Sequence, residues 1–397
     1  METFEKALQI VLDAGQASLL KQDFEQVALE DACGRVLQQP VMADRDMPPF
    51  DKSAVDGYAC KSVDLERGGP MRLLEVVAAG AMPLHQVMEG CCVKVMTGAM
   101  VPEGTECVLM VEEAWEVEGA VCCAGKSGRK TNICVQGEDL AMGAQVLDAG
   151  IVIQSQHIAL LAAMGYARVQ VAAKIKVGVI STGDELVEPW ESPQAAQIRN
   201  SNSWQLMAQC RAAGALATYY GIAKDSVDSF APVLAAAIKE NDGVIVSGGV
   251  SMGDFDIVPQ TAQSLGINIL FDRVAVQPGK PTTFGVGAEC FFFGLPGNPV
   301  SSFIQFELMV KPFLMGRMGA HYAPLLLRLP LSHPFTRKQA ERMAHLPAVI
   351  NPVGSCTLID YHGSGHITAL DRAQGIVRIP LGVTSVSAGT HVEVILL

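Results

Sequence analysis

The sequence predicts a multidomain α/β and β protein. A three-layer α/β domain on a mostly parallel sheet stands at its centre, with a β-rich region before it and a small β-barrel or sandwich after it. Three observations carry this reading. The chain has 397 residues, enough for two to four domains, and is 49% hydrophobic and 18% charged, enough to form several cores. Between 174 and 320, apolar strand-like runs alternate with segments of helical period. On either side of that stretch the apolar runs are short and separated by Gly and Pro.

Taken in order, Thr3 is placed to cap a first helix, with Phe4, Leu8, Val11 and Leu12 on one face. From Val41 to about Gly143 the runs LLEVVAA, CCVKVM and ECVLMVEEA read as strands. Ser155 opens a short helix over 156–164 that Gly165 can end. KIKVGVI is a strand leading into the turn STGDE, and SNSWQLMAQCRAAG is a helix whose Trp204, Met207 and Cys210 are spaced for a buried stripe. ATYYG is strand-like, and 226–239 is helical. GVIVSGG is a strand into a glycine turn, DIVPQTAQSLG is a helix, and INILFDRVAV contains a strand. ECFFFGLPGNPVSSFIQFELMVKPFLM is a strand, a turn and a long helix. The runs GVIV and CFFF suit burial on both faces of a parallel sheet. The final strands are LLLRLPL, HITAL, GIVRIPL and HVEVILL.

Composition excludes several classes. The net charge of −12 argues against nucleic acid as a main partner, while leaving room for a local positive cleft for a small anion. The eleven cysteines include adjacent pairs, Cys91-Cys92 and Cys122-Cys123, and follow no zinc-finger spacing, so they read as free thiols in a reducing cytoplasm. The first residues carry Glu2, Glu5 and Asp13 and lack a signal-peptide pattern. No apolar run approaches the ~20 residues of a membrane span.

In open α/β sheets ligands bind beyond the carboxyl ends of the strands. Four segments fall there: 181–185 (STGDE), 247–254 (SGGVSMGD), 277–281 (QPGKP) and 294–302 (GLPGNPVSS). Their glycines can turn consecutive N–H groups toward an anion. Asp184, Glu185, Asp254 and Asp256 are hard oxygen donors suited to Mg²⁺ on a phosphate, though Asp184 or Asp256 could equally cap a helix. Lys280 is either a phosphate-facing cation or a solvated side chain. In the β-rich region Asp56, Thr97 and Asp139 lie in glycine-containing segments that read as turns or as site contributions. Other leads fail. Gly125-Lys126-Ser127 follows Ala120 where a phosphate-binding P-loop needs glycine, and dinucleotide, zinc-protease and nucleophile-elbow patterns are missing. His333, His345, His362 and His366 take structural or surface roles by default, and Cys290 and the Phe291–Phe293 run read as core.

The segments PPFDKSAVDGYA, VMTGAMVPEG, QGEDL, ISTGDEL, RNSNSWQL, VSGGVSMGDFD, VQPGKPTTFG and GLPGNPVSS, in this order, resemble the molybdopterin molybdenumtransferase family across nearly the whole chain. The resemblance implies an elongated linker domain (1–40 plus 144–173), a β-rich domain (41–143), a molybdopterin-binding α/β domain (174–320) and a C-terminal β-barrel-like domain (323–397). It also implies a cytoplasmic homodimer that contacts neither nucleic acid nor membrane. Such an enzyme inserts molybdenum from molybdate into adenylylated molybdopterin, with Mg²⁺ and release of AMP, and makes transient contact with the adenylyltransferase and with apo-molybdoenzymes. By this resemblance Asp56, Asp139, Glu185, Asp256 and Lys280 take catalytic positions, and Asp256 and Glu185 the metal. Thr97, Ser181, Asp225, Ser247, Gly248, Gly249, Ser251, Pro296, Gly297, Asn298, Pro299 and Ser301 take binding positions. Cys134 stands where many members carry arginine, Asn200 where many carry aspartate, and Gln277 where some carry lysine. Lys52, where asparagine is common, returns one positive charge. Nothing in these residues separates molybdate from tungstate. A molybdopterin adenylyltransferase and a non-enzymatic scaffold built on the same domains remain as rival readings.

Overall fold

The structure, a computed structural model, describes residues 1–17, 23–125, 131–250, 257–360, 363 and 365–397. Ser251, Asp254 and Asp256 of the expected site, Lys126 and Ser127 of the rejected P-loop, and His362 lie outside the described residues. The chain forms two compact units: Pro40–Ala149 with Ser155–Ala167, and Met1–Gln39 with Gly150–Gln154 and Arg168–Leu397.

The smaller unit is built on a six-stranded mixed sheet, in the order Cys107–Met110, Gly57–Cys60, Cys91–Val95, Met71–Val77, Ala120–Cys123 and Ala114–Val117. Successive side chains point to opposite faces, so Tyr58, Cys60 and Cys92 enter one core while Ala59 and Val93 enter another. Both faces are therefore covered. Lys52–Ser53 pairs with Ile133–Cys134, placing Cys134 directly opposite Lys52.

In the larger unit Thr3 does cap the N-terminal helix Phe4–Ala17, its Oγ1 accepting from the Lys6 N–H at 3.3 Å. The α/β sheet contains β1 (Lys176–Thr182), β2 (Leu216–Ala223), β3 (Gly243–Ser247), β4 (Asn268–Phe271), β5 (Thr283–Val286) and β6 (Phe291–Leu295). Their order is β2-β1-β3-β6-β5-β4. β2, β1, β3 and β6 run parallel, and β5 and β4 complete the sheet antiparallel. Every residue of β3 and β6 is buried, as expected for strands covered on both faces. Helices α1 (Asn202–Ala212), α2 (Val227–Glu240) and α3 (Val258–Ser264) follow β1, β2 and β3 in turn, in the βα rhythm. After β6 the segments Pro299–Gln305, Phe306–Val310 and Lys311–Arg317 run on as one long helix, with a π-type turn in the middle segment.

The C-terminal sheet joins Leu326–Pro330, His391–Leu396, Gly375–Ile379 and Met343–Asn351, with Ser355–Leu358 paired to the last of these. Its edge receives Val276–Gln277 in parallel, Gln277 opposite Ala344. The loop at Lys280 thus leaves directly from an edge shared with the C-terminal sheet. Two expectations change. HITAL is not a strand: Ile367–Leu370 is a short 3₁₀ turn, because three apolar side chains in a run of four residues do not establish a period. Trp204 is not buried; it is 41% exposed, packed sideways on aromatic neighbours. All eleven cysteines are free thiols.

Candidate functional site

A cleft of about 670 Å³ opens at the carboxyl ends of the parallel strands. It receives Ser181, Thr182, Gly183 and Glu185 from β1, Asp225 from the turn after β2, Ser247, Gly248 and Gly249 from β3, and Pro296, Gly297, Asn298 and Pro299 from the turn after β6. Asp184 is exposed and does not line it. The α1 helix and the long helix both start at this rim, so the positive ends of two helices face it.

The loops are held by buried polar side chains. Asn202 donates its amide to the Ser247 hydroxyl at 2.8 Å and to the Gly297 carbonyl at 2.7 Å, tying the two glycine turns together. Ser181 shares a 2.7 Å hydroxyl contact with Ser203 and donates to Asn200 at 3.1 Å. The Asn200 amide donates to the Tyr219 hydroxyl at 2.9 Å, which donates to Glu188 at 2.6 Å. Burial first, then the Glu188 bond, pushes the Tyr219 phenol well above its ordinary pKa, so it remains a donor. Gly248 has φ +96°, and a Cβ there would lie 2.5 Å from the Thr182 carbonyl oxygen. Only glycine lets this turn approach β1 so closely.

Asp225 brings a buried Oδ1 with no hydrogen-bond partner among the described residues, and Thr182 a buried Oγ1 in the same state. Glu185 is exposed on the same rim. Among the described residues no three His, Cys, Asp or Glu converge on a metal position.

A second cavity, about 810 Å³, shares Pro281, Pro296 and Asn298 with the first. Lys280 and Ser301 line this cavity and not the first. The C-terminal domain supplies its opposite wall, including His333, Arg337, Arg342 and Asp360. Arg337 donates to the carbonyls of Val383, Arg342 and Pro380 at 2.7–2.8 Å. Burial and the neighbouring Arg342 lower its pKa. Beneath Lys280, Gln305 donates to the Pro278 carbonyl at 3.1 Å and fixes the loop.

Within the smaller unit, the structure brings Asp56 and Thr97 together. The Asp56 Oδ1 accepts from the Thr97 backbone N–H at 2.6 Å and from its hydroxyl at 2.8 Å. These two bonds, the backbone one larger, hold the Asp56 carboxyl below its ordinary pKa. Asp139 is exposed on a separate loop, its N–H on the Met47 carbonyl at 3.0 Å. Cys134 keeps its proton, its pKa raised by burial and then by Glu138, and its strand partner Lys52 is the nearby cation.

The sequence motifs located the strand-end loops, Thr182 among them, but not Asn202 or Arg199 as cleft residues, although the RNSN segment carried the signal for both. The C-terminal wall of the second cavity had no local signal, since it depends on strand pairing between Gln277 and Ala344.

A doubly wound sheet with glycine turns, two helix starts and carboxylates at its switch point defines an α/β protein whose cleft has the form of an anion site. Comparison narrows the class. Residues 2–165 match the MoeA N-terminal region (domain I and II), 178–316 a probable molybdopterin binding domain, and 328–397 the MoeA C-terminal region (domain IV). A molybdopterin molybdenumtransferase of Staphylococcus epidermidis is 32% identical, covering 99% of this chain and 96% of that protein. One from Staphylococcus aureus is 34% identical over 93% of this chain and 90% of its own. The molybdopterin biosynthesis moeA protein of Pyrococcus horikoshii OT3 superposes with a TM-score of 0.86 at 29% identity, each chain covered in full. This chain belongs to the molybdopterin molybdenumtransferase family, the transferases of molybdenum cofactor biosynthesis.

Proposed function

We propose that this protein inserts molybdenum from molybdate into adenylylated molybdopterin and releases AMP. The observation that carries the proposal is the continuity of two cavities of different character. One is cradled by glycine turns and helix starts and carries carboxylates; the other is rimmed by Lys280, Arg337 and Arg342. A substrate with a phosphate bridge suits the first, where N–H groups at Gly248 and Gly249 would meet its oxygens. A tetrahedral dianion suits the second, next to Lys280 and Ser301. Pro281, Pro296 and Asn298, common to both linings, keep the two reactants adjacent, which removes much of the entropic cost of their encounter.

Mg²⁺ fits the donors of the first cavity. The Asp225 Oδ1, unpartnered among the described residues, and the Glu185 carboxylate are hard oxygen ligands, and Mg²⁺ is commonly held by one or two carboxylates plus phosphate oxygens and water. When bound, the ion offsets charge on the phosphate bridge. Asp256 is proposed as a further ligand from the family motif. Asp56, set by Thr97, and Asp139 are proposed to act from a partner copy's β-rich unit in a homodimer. Free thiols throughout favour a cytoplasmic setting; no described helix is long and apolar enough to cross a membrane.

The test is a turnover assay with adenylylated molybdopterin, Mg²⁺ and equal molybdate and tungstate, with AMP and the metal in the pterin product both measured. Molybdenum-loaded pterin with AMP is expected. Efficient adenylyl transfer in a parallel reaction with molybdopterin, ATP and no molybdate would reverse the assignment.

A further inference from the structure

Two tryptophans stand in solvent beside the cleft. Trp190 is 71% exposed and Trp204 41%. Their ring centroids are 6.0 Å apart with planes at 77°, so the pair makes a nearly right-angled aromatic corner. Trp204 is backed by the Tyr219 ring at 5.3 Å, and Tyr219 is fixed by Asn200 and Glu188. The corner is therefore anchored to the same buried network that holds Ser181. Arg199 donates its Nε–H to the Glu191 carbonyl at 3.2 Å and is exposed at the rim, with no ion pair among the described residues. A cavity of about 550 Å³ against the two tryptophans shares Arg199, Asn200 and Ser201 with the main cleft. Aromatic surface of this size left in water, with a fixed cation beside it, is a binding arrangement rather than a packing one.

We propose that Trp190 and Trp204 form a stacking subsite for a planar heteroaromatic ring of the substrate, whose phosphate enters the adjoining cleft past Arg199. The inference rests on the substrate reading above. One indole face receives the face of the ring, while the second indole, nearly perpendicular, closes on the ring's edge. Arg199, on the boundary of both cavities, serves the phosphate that follows. The substrate offers two such rings, adenine and pterin, and the chemistry of the corner suits either.

Calorimetric titration of the intact protein with AMP, ribose 5-phosphate and pterin separates the sources. Trp190 is exposed, so Trp190→Ala is expected to fold normally. It should weaken AMP or pterin about tenfold, as loss of one base–aromatic stack does. Ribose 5-phosphate should bind unchanged, and Trp190→Phe should restore most of the loss. A loss confined to AMP assigns the corner to adenine, and a loss confined to pterin assigns it to the pterin. Undetectable ring binding by the wild type, unchanged ring affinity in Trp190→Ala, or an equal loss for ribose 5-phosphate would each overturn the subsite. So would an altered sedimenting mass with ring binding intact, which would give the corner to a second copy of the chain. The turnover assay keeps the two readings apart. Ring binding through Trp190 without molybdenum insertion sinks the reaction alone; turnover with unchanged ring affinity in Trp190→Ala sinks the subsite alone.

Discussion

Asn202 shows how one side chain shapes the site. Its amide serves both the Ser247 hydroxyl and the Gly297 carbonyl, so Asn202→Ala leaves a buried hydroxyl and a part-buried carbonyl short of a donor. The expected cost is about 1–3 kcal/mol of stability, together with a fall in AMP release as the glycine turns lose their spacing. Urea midpoints and turnover of the same preparation check both. Asp225 differs, because its Oδ1 has no partner to lose among the described residues. Asp225→Asn should leave the midpoint nearly unchanged and cut turnover by about 10²-fold, the scale of a positioned group; equal turnover would remove it from the mechanism. His345 reports on pH. It is fully buried against Phe4, both ring nitrogens lack partners among the described residues, and burial, then Arg378, lowers its pKa from 6.5 to about 3. A depressed histidine pKa means the unfolded state takes up the proton first. Its contribution is complete above about pH 6.5 and is lost as pH falls toward 3. Between pH 7 and pH 5 the wild type should therefore lose ~2 kcal/mol more than His345→Leu in paired unfolding curves.

At the scale of elements, the strand-end turns depend on close backbone approach. Gly248→Ala adds a Cβ at 2.5 Å from the Thr182 carbonyl oxygen and strains a positive φ. It should destabilise the protein by about 1–3 kcal/mol and abolish measurable AMP binding by calorimetry; normal affinity would show that this turn does not cradle phosphate. The elements most legible in the sequence were those whose signal is local. GVIV and CFFF are unbroken apolar runs, and the strands they start are buried along their whole length, Gly243–Ser247 and Phe291–Leu295. Thr3 could be read as a cap because its partner, Lys6, is three residues away. Helix α1 was legible as a helix, but its exposed Trp204 was not. Helical spacing places an aromatic on a face, and only tertiary neighbours, here Trp190 and Tyr219, decide what that face meets.

At the scale of the whole molecule, the site's two halves were legible to different degrees. Ser181, Ser247 and Gly297 lie at strand ends that a βα alternation brings together by rule, so the first cavity followed from the pattern. The second cavity needs Lys280 and Arg342, more than sixty positions apart, and forms because Val276–Gln277 adds to the C-terminal sheet. That pairing has no signature in either segment alone. The proposed homodimer has its own test. Asp56→Ala and Glu185→Ala proteins, each inactive, are mixed after reversible dissociation. A shared site predicts activity returning to about half the wild-type level per heterodimer, since one of its two sites is then intact. No recovery, or full turnover by a monomer, would contradict the shared site.

The most direct measurement is single-turnover insertion. Purified protein is loaded with adenylylated molybdopterin and Mg²⁺, molybdate is added, and AMP and pterin-bound molybdenum are quantified together. Stoichiometric AMP and molybdenum-loaded pterin are predicted, with Asp225→Asn and Glu185→Gln suppressing both. A folded wild-type protein that binds the adenylylated pterin yet yields neither AMP nor molybdenum-loaded pterin would contradict the account.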